Sequence, residues 1–452
     1  MNGNRANTSA LRCQSDPLSN SPSYARRAPR CPAYLSVIIT ALCVVHLLLP
    51  IERGFPVLRI AGYPITLTLL ISVLSMLVLL IESNGRIITS FPKRYVPYQL
   101  VVAWVFLVSA FVSRDVTAGL FVVLSYSATF ILDFLIIYHL FKRGFRQQFV
   151  NILCVVISTA ALIGIIEGVF RYYLPCYRTW FLMYNYQAMQ YAMIRPDFRA
   201  LGTLGNPIVY SAAMAMSFPF TLEIRHRLLR FLMAGLLLTA TMLAVSTTTA
   251  IMWLVLLAGL FLISRRKTRL ILSIIAMIAL LAILLTLRFS KEAMGYLVSG
   301  WSREFAFGDL ANDQFLNIRI RRDLLLWTLT RFGGDLSFSS ILFGYGLKSA
   351  IQAVQALSLS RLSTFDNTYA TILFESGILG LISFLAMAFN VLVGYRWAIR
   401  KSLHWYSILS LLMAGMAFMA VYYATFNFVW VASVAALASD ARLKRQSDAV
   451  LR

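Results

Sequence analysis

Apolar residues recur along the chain in runs of about 20, long enough for a helix to cross a hydrocarbon core roughly 30 Å thick. Inside lipid the backbone must satisfy its own hydrogen bonds, so these runs are predicted to be helices. The alternation that is typical of a membrane β-barrel is absent from the sequence. The predicted spans are 33–50, 63–82, 97–113, 117–141, 149–170, 206–223, 228–246, 249–264, 270–287, 367–394, 403–421 and 422–438.

The composition supports this pattern, because 59% of the 452 residues are apolar and only 13% are charged. A soluble core cannot bury that much apolar surface. We therefore predict an all-α polytopic membrane protein of about 12 transmembrane helices with a large outer loop. The predicted segments are a disordered tail at 1–32, helices 1–5 at 33–170, a loop at 171–205, helices 6–9 at 206–287, the large loop at 288–366, helices 10–12 at 367–438, and a tail at 439–452.

Lys and Arg are distributed unevenly between the predicted connecting segments. With the N-terminus inside, 25 of the 41 lie in inner segments, and every short inner loop is basic. Cytoplasmic loops of membrane proteins carry such an excess. The pattern predicts a bacterial inner-membrane protein with both termini in the cytoplasm and with 171–205 and 288–366 in the periplasm. It also explains the net charge of +23, so no nucleic-acid partner is predicted.

The remaining 16 Lys and Arg residues concentrate in the two long outer loops. Long loops escape the charge rule, and the loop at 288–366 also carries seven acids. The shorter loop holds four arginines and a single acid: Arg171, Arg178, Arg195, Arg199 and Asp197. This imbalance favours an anion site there over ordinary surface charge.

Three outer segments carry the candidate chemistry, and the first is RALGTLGNPIVYSA, which begins at Arg199. Its Gly and Pro residues predict a turn that leads directly into a membrane helix. Asn206 is well placed as the N-cap and Pro207 as the first helical residue. Such a helix end attracts anions, and Arg199 can bind a phosphate with two hydrogen bonds. The alternative is a plain helix cap with an interfacial Arg, which the spacing alone favours.

The second segment, RIRRDLLLW followed by ILFGYGLKS, lies in the large loop. Arg319 and Arg322 are three residues apart, so on a helix they share one face, and Trp327 belongs to an apolar face. A surface amphipathic helix is the alternative and is favoured without further information. Gly344 and Gly346 predict a tight structural turn.

The third segment is DNTYATILFESGILGLISFL, which begins at Asp366. Asp366 and Asn367 are predicted to cap the tenth membrane helix at its outer end. Glu375 lies nine residues further, about 13 Å into the helix, where an acid is costly unless it is paired. A structural partner such as an Arg is favoured over catalysis. Gly377 and Gly380 predict close helix packing.

Taken in order, these segments resemble the O-antigen ligase and polysaccharide polymerase superfamily. The family pattern has an Arg before G-T-x-G-N-P, a long periplasmic loop with an Arg, a Trp and an F-G-x-G turn, and then an H/D-N-x-Y…E-x-G-x-x-G-L helix. The resemblance runs from about residue 150 to 395. The matching residues are Arg199, Gly202, Thr203, Gly205, Asn206, Pro207, Arg322, Trp327, Phe343, Gly344, Gly346, Asp366, Asn367, Tyr369, Glu375, Gly377, Gly380 and Leu381.

The resemblance implies a GT-C-like, metal-independent glycosyltransferase whose site faces the periplasm. Its donor would be a glycan on undecaprenyl pyrophosphate, and a hydroxyl of an acceptor glycan would attack the anomeric carbon. Asp366 would be the catalytic base. The pyrophosphate would be bound by Arg199, Arg319, Arg321 and Arg322. Supporting roles would fall to Asn206, Asn367, Tyr369 and Glu375. No cofactor is expected, because the lipid link already activates the sugar.

The leading hypothesis is a polymerase of exopolysaccharide or O-antigen repeat units, with the lipid bilayer and a chain-length regulator as further partners. Ligases of the family carry a His where Asp366 stands, and the Asp favours a polymerase. The main alternative is a ligase that transfers glycan to lipid A-core or another acceptor. A second alternative is a non-enzymatic transporter of lipid-linked glycan. A transporter would place polar residues at mid-bilayer and often show repeats, whereas this chain concentrates polar residues in outer loops.

The predicted topology can be checked by cysteine labelling in whole cells. A probe that does not cross the inner membrane is expected to label a Cys substituted for Asp335 and not one substituted for Arg266, because only 288–366 is predicted to be periplasmic. Both substitutions are made in a background that lacks the native cysteines. The reverse labelling pattern would contradict the predicted orientation.

Overall fold

The structure is a computed structural model, and the following residues are described: 32–49, 56–60, 63–85, 87, 91–92, 94–175, 199–244, 246–264, 326–327, 330, 337–356, 367–415 and 424–450. The predicted span at 270–287 lies outside this part of the chain. So do four of the predicted site residues: Arg319, Arg321, Arg322 and Asp366.

The first half of the described chain is a helical bundle with one β-ribbon. Its helices are α1 (Ala33–Leu47), α2 (Leu67–Glu82), α3 (Val96–Val112), α4 (Val116–Ser127), α5 (Phe134–Lys142) and α6 (Arg146–Phe170). The antiparallel strands are β1 (Pro56–Ile60) and β2 (Tyr63–Thr66). The predicted span at 63–82 is therefore wrong in its first four residues. The helix begins later because the Thr66 side chain accepts a hydrogen bond from the Leu69 N–H and caps α2.

Helices α4 and α5 form one continuous helix, Val116–Lys142, that is interrupted by a π-helical segment at Ala128–Asp133. Such segments are rare and occur often at functional sites. This one places the carboxylate of Asp133, with no exposed surface, inside the bundle.

The second half of the described chain continues the bundle. Its helices are α7 (Pro207–Thr221), α8 (Arg227–Ala244), α9 (Thr247–Ile263), α10 (Phe338–Phe343), α11 (Ser349–Ala356), α12 (Thr368–Gly394), α13 (Leu403–Gly415) and α14 (Ala424–Val450). Most bounds lie within a few residues of the predicted spans. Helix α14 differs, because it continues to Val450 through the segment that was predicted to be a tail.

Helix α7 is central to the bundle. Every residue from Val209 to Thr221 is buried, and the helix packs against α6, α8, α9, α13 and α14. A helix that is apolar on all sides is typical of such an interior position. Its N-terminal end is therefore a rigid support for the turn that precedes it.

Four described helices are long and apolar enough to cross a membrane: Val116–Lys142, Arg146–Phe170, Arg227–Ala244 and Thr368–Gly394. The described chain also contains shorter apolar helices. These helices agree with the predicted class, an all-α membrane protein. The predicted number of twelve spans stays a prediction.

Short turns define two ends of the bundle. Three-residue turns join α3 to α4 and α5 to α6, so consecutive helices reverse direction, and the C-terminal ends of α3 and α6 lie at the same end. This end also holds the turn before α7 and the turn before α11. We call it the motif end.

The opposite end, which we call the basic end, gathers the described basic turns. Arg143 Nη1 lies 2.5 Å from Glu82 Oε1, and Arg94 donates a hydrogen bond to the Gly394 carbonyl. These contacts join the segments that follow α2, α5 and α12. The prediction that the short basic loops share one side of the bundle is confirmed for the loops in the described part of the chain. Which side of the membrane this is stays a prediction.

A charged network ties the basic end together. Arg146 binds Glu223 through two hydrogen bonds of 2.9 and 2.5 Å and contacts Asp440 at 2.5 Å. His404 Nε2 lies 2.6 Å from the Glu223 carboxylate. Burial acts to raise the pKa of Glu223, but the hydrogen bonds and charges of His404 and Arg146 outweigh it and lower the pKa to about 2. The ionised carboxylate therefore stabilises the fold.

Glu223→Gln is expected to destabilise the protein at pH 7, as measured by thermal unfolding in detergent. The gap between the ordinary pKa of 4.5 and a folded pKa of about 2 corresponds to about 3 kcal/mol, as an order of magnitude. Because the folded pKa is depressed, this contribution is present above about pH 4.5 and is lost as the pH falls toward 2. The difference in stability between the variant and the wild type should therefore become smaller as the pH is lowered.

Glu82→Gln is the matched control, because it breaks a more exposed ion pair at the same end of the bundle. Exposed pairs contribute about 0–1 kcal/mol. Equal effects of the two substitutions at pH 7 would contradict a stabilising network around Glu223.

Candidate functional site

The turn before α7 is held by a buried carboxylate. Glu167 of α6 has no exposed surface, and its Oε2 accepts a 2.8 Å hydrogen bond from the Gly202 N–H. The amides of Leu174 and Leu201 lie beside the same carboxylate. The described partners of Glu167 are therefore backbone amides.

Further contacts anchor this turn to three helices. The Thr203 hydroxyl donates to the Leu47 carbonyl at the end of α1, at 2.6 Å, and the Ala200 N–H donates to the Leu243 carbonyl of α8, at 3.1 Å. The ring of Tyr210 packs so closely on Gly202 that a Cβ there would overlap it. The turn is therefore held in place by contacts with the ends of α1, α7 and α8.

Arg199 lies at the start of this turn and is 9% exposed. Its carbonyl accepts a 3.1 Å hydrogen bond from the Tyr173 hydroxyl. Asn206 is the N-cap of α7, as predicted, and its Oδ1 accepts from the Ile208 and Val209 N–H groups at 2.9 and 3.3 Å. Arg199 thus begins the turn that ends at the N-cap of α7, and the N-terminal end of a helix favours anions.

A break in α12 forms the second cluster. Gly377 has φ 68° and ψ −169°, a conformation that is essentially restricted to glycine. The break leaves the carbonyls of Phe374 and Glu375 without their usual helical donors. The N–H groups of Tyr345 and Gly346 fill these positions at 2.9 and 3.1 Å. Gly377 was predicted to allow close helix packing. That prediction is incomplete, because the conformation of Gly377 mainly opens the helix so that this turn can dock into it.

The turn that docks into the break is F-G-Y-G, which precedes α11. Its glycines, Gly344 and Gly346, have φ 76° and 93°, which confirms the predicted tight turn. Ser109 and Ser113 of α3 donate to the Phe343 and Leu347 carbonyls, both at 2.9 Å. The turn is therefore clamped between α3 and α12.

Glu375 is fully buried beside this turn. Its Oε1 accepts a 3.2 Å hydrogen bond from the Ala350 N–H in the first turn of α11, and the Lys348 amide lies beside it. The N–H groups of a helix start thus supply hydrogen bonds to the acid, and the charge of Lys348 also interacts with it. The predicted Arg partner stays a prediction. Glu375 orients α11 relative to α12.

The N-terminal end of α12 is capped by Asn367. Its Oδ1 accepts hydrogen bonds from the Tyr369 and Ala370 N–H groups, both at 3.0 Å. The Tyr369 hydroxyl donates to the Leu412 carbonyl of α13 at 2.5 Å. Asn367 and Tyr369 thus fix the start of α12, directly after the position of Asp366.

Aromatic side chains cover the second cluster. The Phe374 ring is buried, with Tyr345 at 4.7 Å and Trp327 at 5.7 Å between ring centroids. Tyr345 and Trp327 are half-buried. Trp327 was predicted to lie on an apolar face, and its ring contacts Phe374 of α12.

The structure therefore divides the predicted site residues into two clusters at the motif end. Arg199 and Asn206 belong to the cluster of Glu167, whereas Asn367, Tyr369 and Glu375 belong to the cluster of the α12 break. Sequence reasoning gave no role to Glu167, Ser109 or Ser113. Their only sequence signal was a polar residue within an apolar run. Within the described part of the chain, no three His, Cys, Asp or Glu side chains gather as metal ligands.

Gly377→Ala is expected to destabilise the protein strongly, because a Cβ at this position would overlap the Leu342 carbonyl and the backbone conformation is strained for Ala. The strain alone costs about 1–3 kcal/mol. Thermal unfolding in detergent measures the loss.

Gly235→Ala is the matched control for this prediction. Gly235 lies within α8, and no other group lies within 4 Å of the position that a Cβ would take there, so Ala should be neutral or stabilise by up to about 1 kcal/mol. Similar melting temperatures for the two variants would show that the break in α12 does not depend on Gly377.

Comparison with known proteins does not assign the chain to a family. The chain matches no protein-family model, and no curated protein matches it significantly. A functional assignment therefore depends on the motifs and contacts of this chain.

Proposed function

We propose that the protein is a membrane glycosyltransferase that polymerises repeat units of exopolysaccharide or O antigen. In this proposal it belongs with the O-antigen ligase and polysaccharide polymerase superfamily and has a GT-C-like fold. It acts at the periplasmic face of the bacterial inner membrane, on a glycan carried by undecaprenyl pyrophosphate.

The observation that carries the proposal is the common location of the motif segments. The Arg199–Asn206 turn and the start of α12 lie at the same end of the bundle, opposite to the basic end. A transfer reaction at one membrane face needs an anion-binding group and a proton acceptor at that face. The proposal assigns these two roles to segments that are more than 150 residues apart in sequence.

The proposed reaction uses the residues as follows. The acceptor hydroxyl gives its proton to the Asp366 carboxylate while its oxygen bonds to the anomeric carbon. The bond from that carbon to the pyrophosphate breaks, and undecaprenyl pyrophosphate leaves with the electron pair. Arg199 and one or more of Arg319, Arg321 and Arg322 stabilise the charge on the leaving group.

The capping geometry of α12 bears on the role of Asp366. The alternative role for Asp366 is an N-cap, but the Asn367 side chain already accepts from both N–H groups that a cap serves. The helix start therefore has its acceptor without Asp366. This favours a chemical role for the Asp366 carboxylate.

An assay with purified protein and lipid-linked repeat units tests the proposal and separates its alternatives. Growth of the glycan chain supports a polymerase. Transfer of the glycan to a separate acceptor, such as lipid A-core, would assign the protein as a ligase. Neither product, together with movement of the lipid-linked glycan across vesicles, would assign it as a transporter.

Asp366→Asn is expected to abolish chain growth at normal protein level, because an amide oxygen is a far weaker base than a carboxylate. Asp366→Glu should recover little, since a displacement of about 1 Å can cost on the order of 10²-fold in rate. Arg199→Ala should lower the rate by on the order of 10²-fold, and Arg199→Lys should restore little because Lys binds phosphate at one point. Polymer length on gels reports the result.

Asp115→Asn is the matched control. Asp115 is the N-cap of α4 at the same end of the bundle, and its carboxylate accepts from the Ala118 N–H at 2.9 Å. Asn caps about as well as Asp, so this variant should keep full activity. Full-length polymer from Asp366→Asn would rule out Asp366 as the base and direct attention to Glu375.

A further inference from the structure

Three helices meet at one place on the basic end of the bundle. Arg94, two residues before α3, donates a hydrogen bond from its guanidinium to the Gly394 carbonyl at the end of α12. The Asn390 side chain of α12 donates to the Arg94 carbonyl. The last turns of α14 reach the same place, because the Lys444 ammonium lies 5.6 Å from the centroid of the Trp397 ring, just after α12.

Positive charges from different elements converge there. Tyr395, the C-cap of α12, is 2% exposed, and the charges of Arg94 and Arg445 both act on its phenol. Burial raises the pKa of Tyr395 to about 12, and these two charges oppose the rise. The charge of Arg442, one turn before Arg445, likewise acts on Lys142 at the end of α5. Cations of α3, α5 and α14 therefore lie within electrostatic reach of their neighbours.

These cations differ from Arg146 of the same end, which binds both Glu223 and Asp440. Asp448, one turn after Lys444, is exposed and forms no ion pair with the cations of α14. We call the convergent cations the basic junction, and none of them forms an ion pair within the described part of the chain: Arg94, Lys142, Arg442, Lys444 and Arg445. Unneutralised like charges repel one another, so a bound anion would stabilise this arrangement.

An exposed apolar stripe of α12 leads to the basic junction. Phe389 and Val393 directly precede the two residues of α12 that contact Arg94. With Ile382 and Leu385 they recur at helical spacing on one face, and each is between 42% and 68% exposed. The rise from Ile382 to Val393 is about 16 Å, close to half of a hydrocarbon core roughly 30 Å thick. The stripe therefore has the length of one lipid leaflet.

We propose that the basic junction binds the phosphate of an anionic phospholipid whose acyl chain lies along the exposed stripe of α12. Arg94 and Arg445 bind the phosphate oxygens, since a guanidinium fits the geometry of phosphate. Lys444 adds a third charge, and Trp397 lies at headgroup level, where such rings are common. Basic groups between membrane helices bind lipid headgroups, and the adjoining stripe favours a lipid over a soluble anion. The proposed glycosyl transfer does not use this site.

The start of α8 offers a matched surface at the same end of the bundle. Arg225 and Arg227 are exposed there, beside the exposed apolar side chains of Leu228, Phe231 and Leu232. Charge and apolar exposure are therefore similar to those of the proposed site. The two arginines, however, belong to one short segment, whereas the basic junction combines several helices. This surface separates a specific lipid site from a general attraction between basic loops and anionic lipid.

Native mass spectrometry of the full chain in detergent tests the headgroup, with phosphatidylglycerol and phosphatidylcholine of identical acyl chains as probes. The wild type is expected to bind phosphatidylglycerol on the order of tenfold more tightly, since each basic group beside an anionic lipid contributes about fivefold. Lys444→Gln/Arg445→Gln should remove most of this preference. Arg225→Gln/Arg227→Gln, which removes the same charge, should change it by less than about twofold. Both pairs are exposed, and thermal unfolding checks that each variant is folded.

Two outcomes of this experiment would overturn the proposal. One is equal binding of the two lipids by the wild type. The other is an equal loss of preference in the two double variants, which would show that only the net charge of the basic end attracts anionic lipid.

Photo-crosslinking of the wild type tests the acyl chain without any substitution. Phosphatidylglycerol with a photoactivatable acyl chain is expected to label α12 between Ile382 and Val393 several times more than Leu228–Leu232 of α8. Unlabelled phosphatidylglycerol should compete, and inorganic phosphate at the same concentration should not. Equal labelling of the two helices, or equal competition by phosphate, would overturn the proposal, whatever the outcome of the glycan assay.

Discussion

Hydrogen bonds from backbone N–H groups to two buried carboxylates hold the motif end of this bundle in place. Irregular turns that enter a bundle of membrane helices have few water molecules to satisfy their amides. Glu167 supplies the acceptor for the turn before α7, and Glu375 supplies it for the start of α11. The side chain of an acid has two oxygens with several lone pairs, so one side chain can accept hydrogen bonds from several amides. An acid of a long apolar helix therefore contributes to holding each of these two turns.

The break in α12 and the F-G-Y-G turn depend on one another. The break releases the carbonyls of Phe374 and Glu375, and the turn brings the N–H groups that satisfy them. Neither segment could stay buried alone, because each would leave polar backbone atoms without partners. The two sequence motifs, far apart in the chain, are therefore one structural unit. Its effect is to orient α11 and the start of α12, next to the position of Asp366.

Local sequence patterns predicted much of this structure. The partners that lie far away along the chain were the main feature that they did not predict. Asn206 and Asn367 were predicted as caps because capping depends on neighbours two and three residues away. Glu375 was predicted to be buried from its depth in an apolar run, but its partners come from a turn 25 residues earlier. His46 lies outside the three motif segments, yet its Nε2 is 3.0 Å from Oδ2 of Asp133, 87 residues later. Spacing along the chain does not specify such partners.

The two ends of the bundle use their acids differently, and this difference suits an anion site. At the basic end, Glu223 and Asp440 both bind Arg146, so the cation is neutralised by its neighbours. At the motif end, Glu167 and Glu375 direct their hydrogen bonds to backbone amides. An arginine that must stabilise a pyrophosphate loses that capacity when a carboxylate occupies its guanidinium. Glu167 and Glu375 thus hold the turns through the backbone, and the proposed function assigns the binding of the negatively charged donor to the arginines of this end.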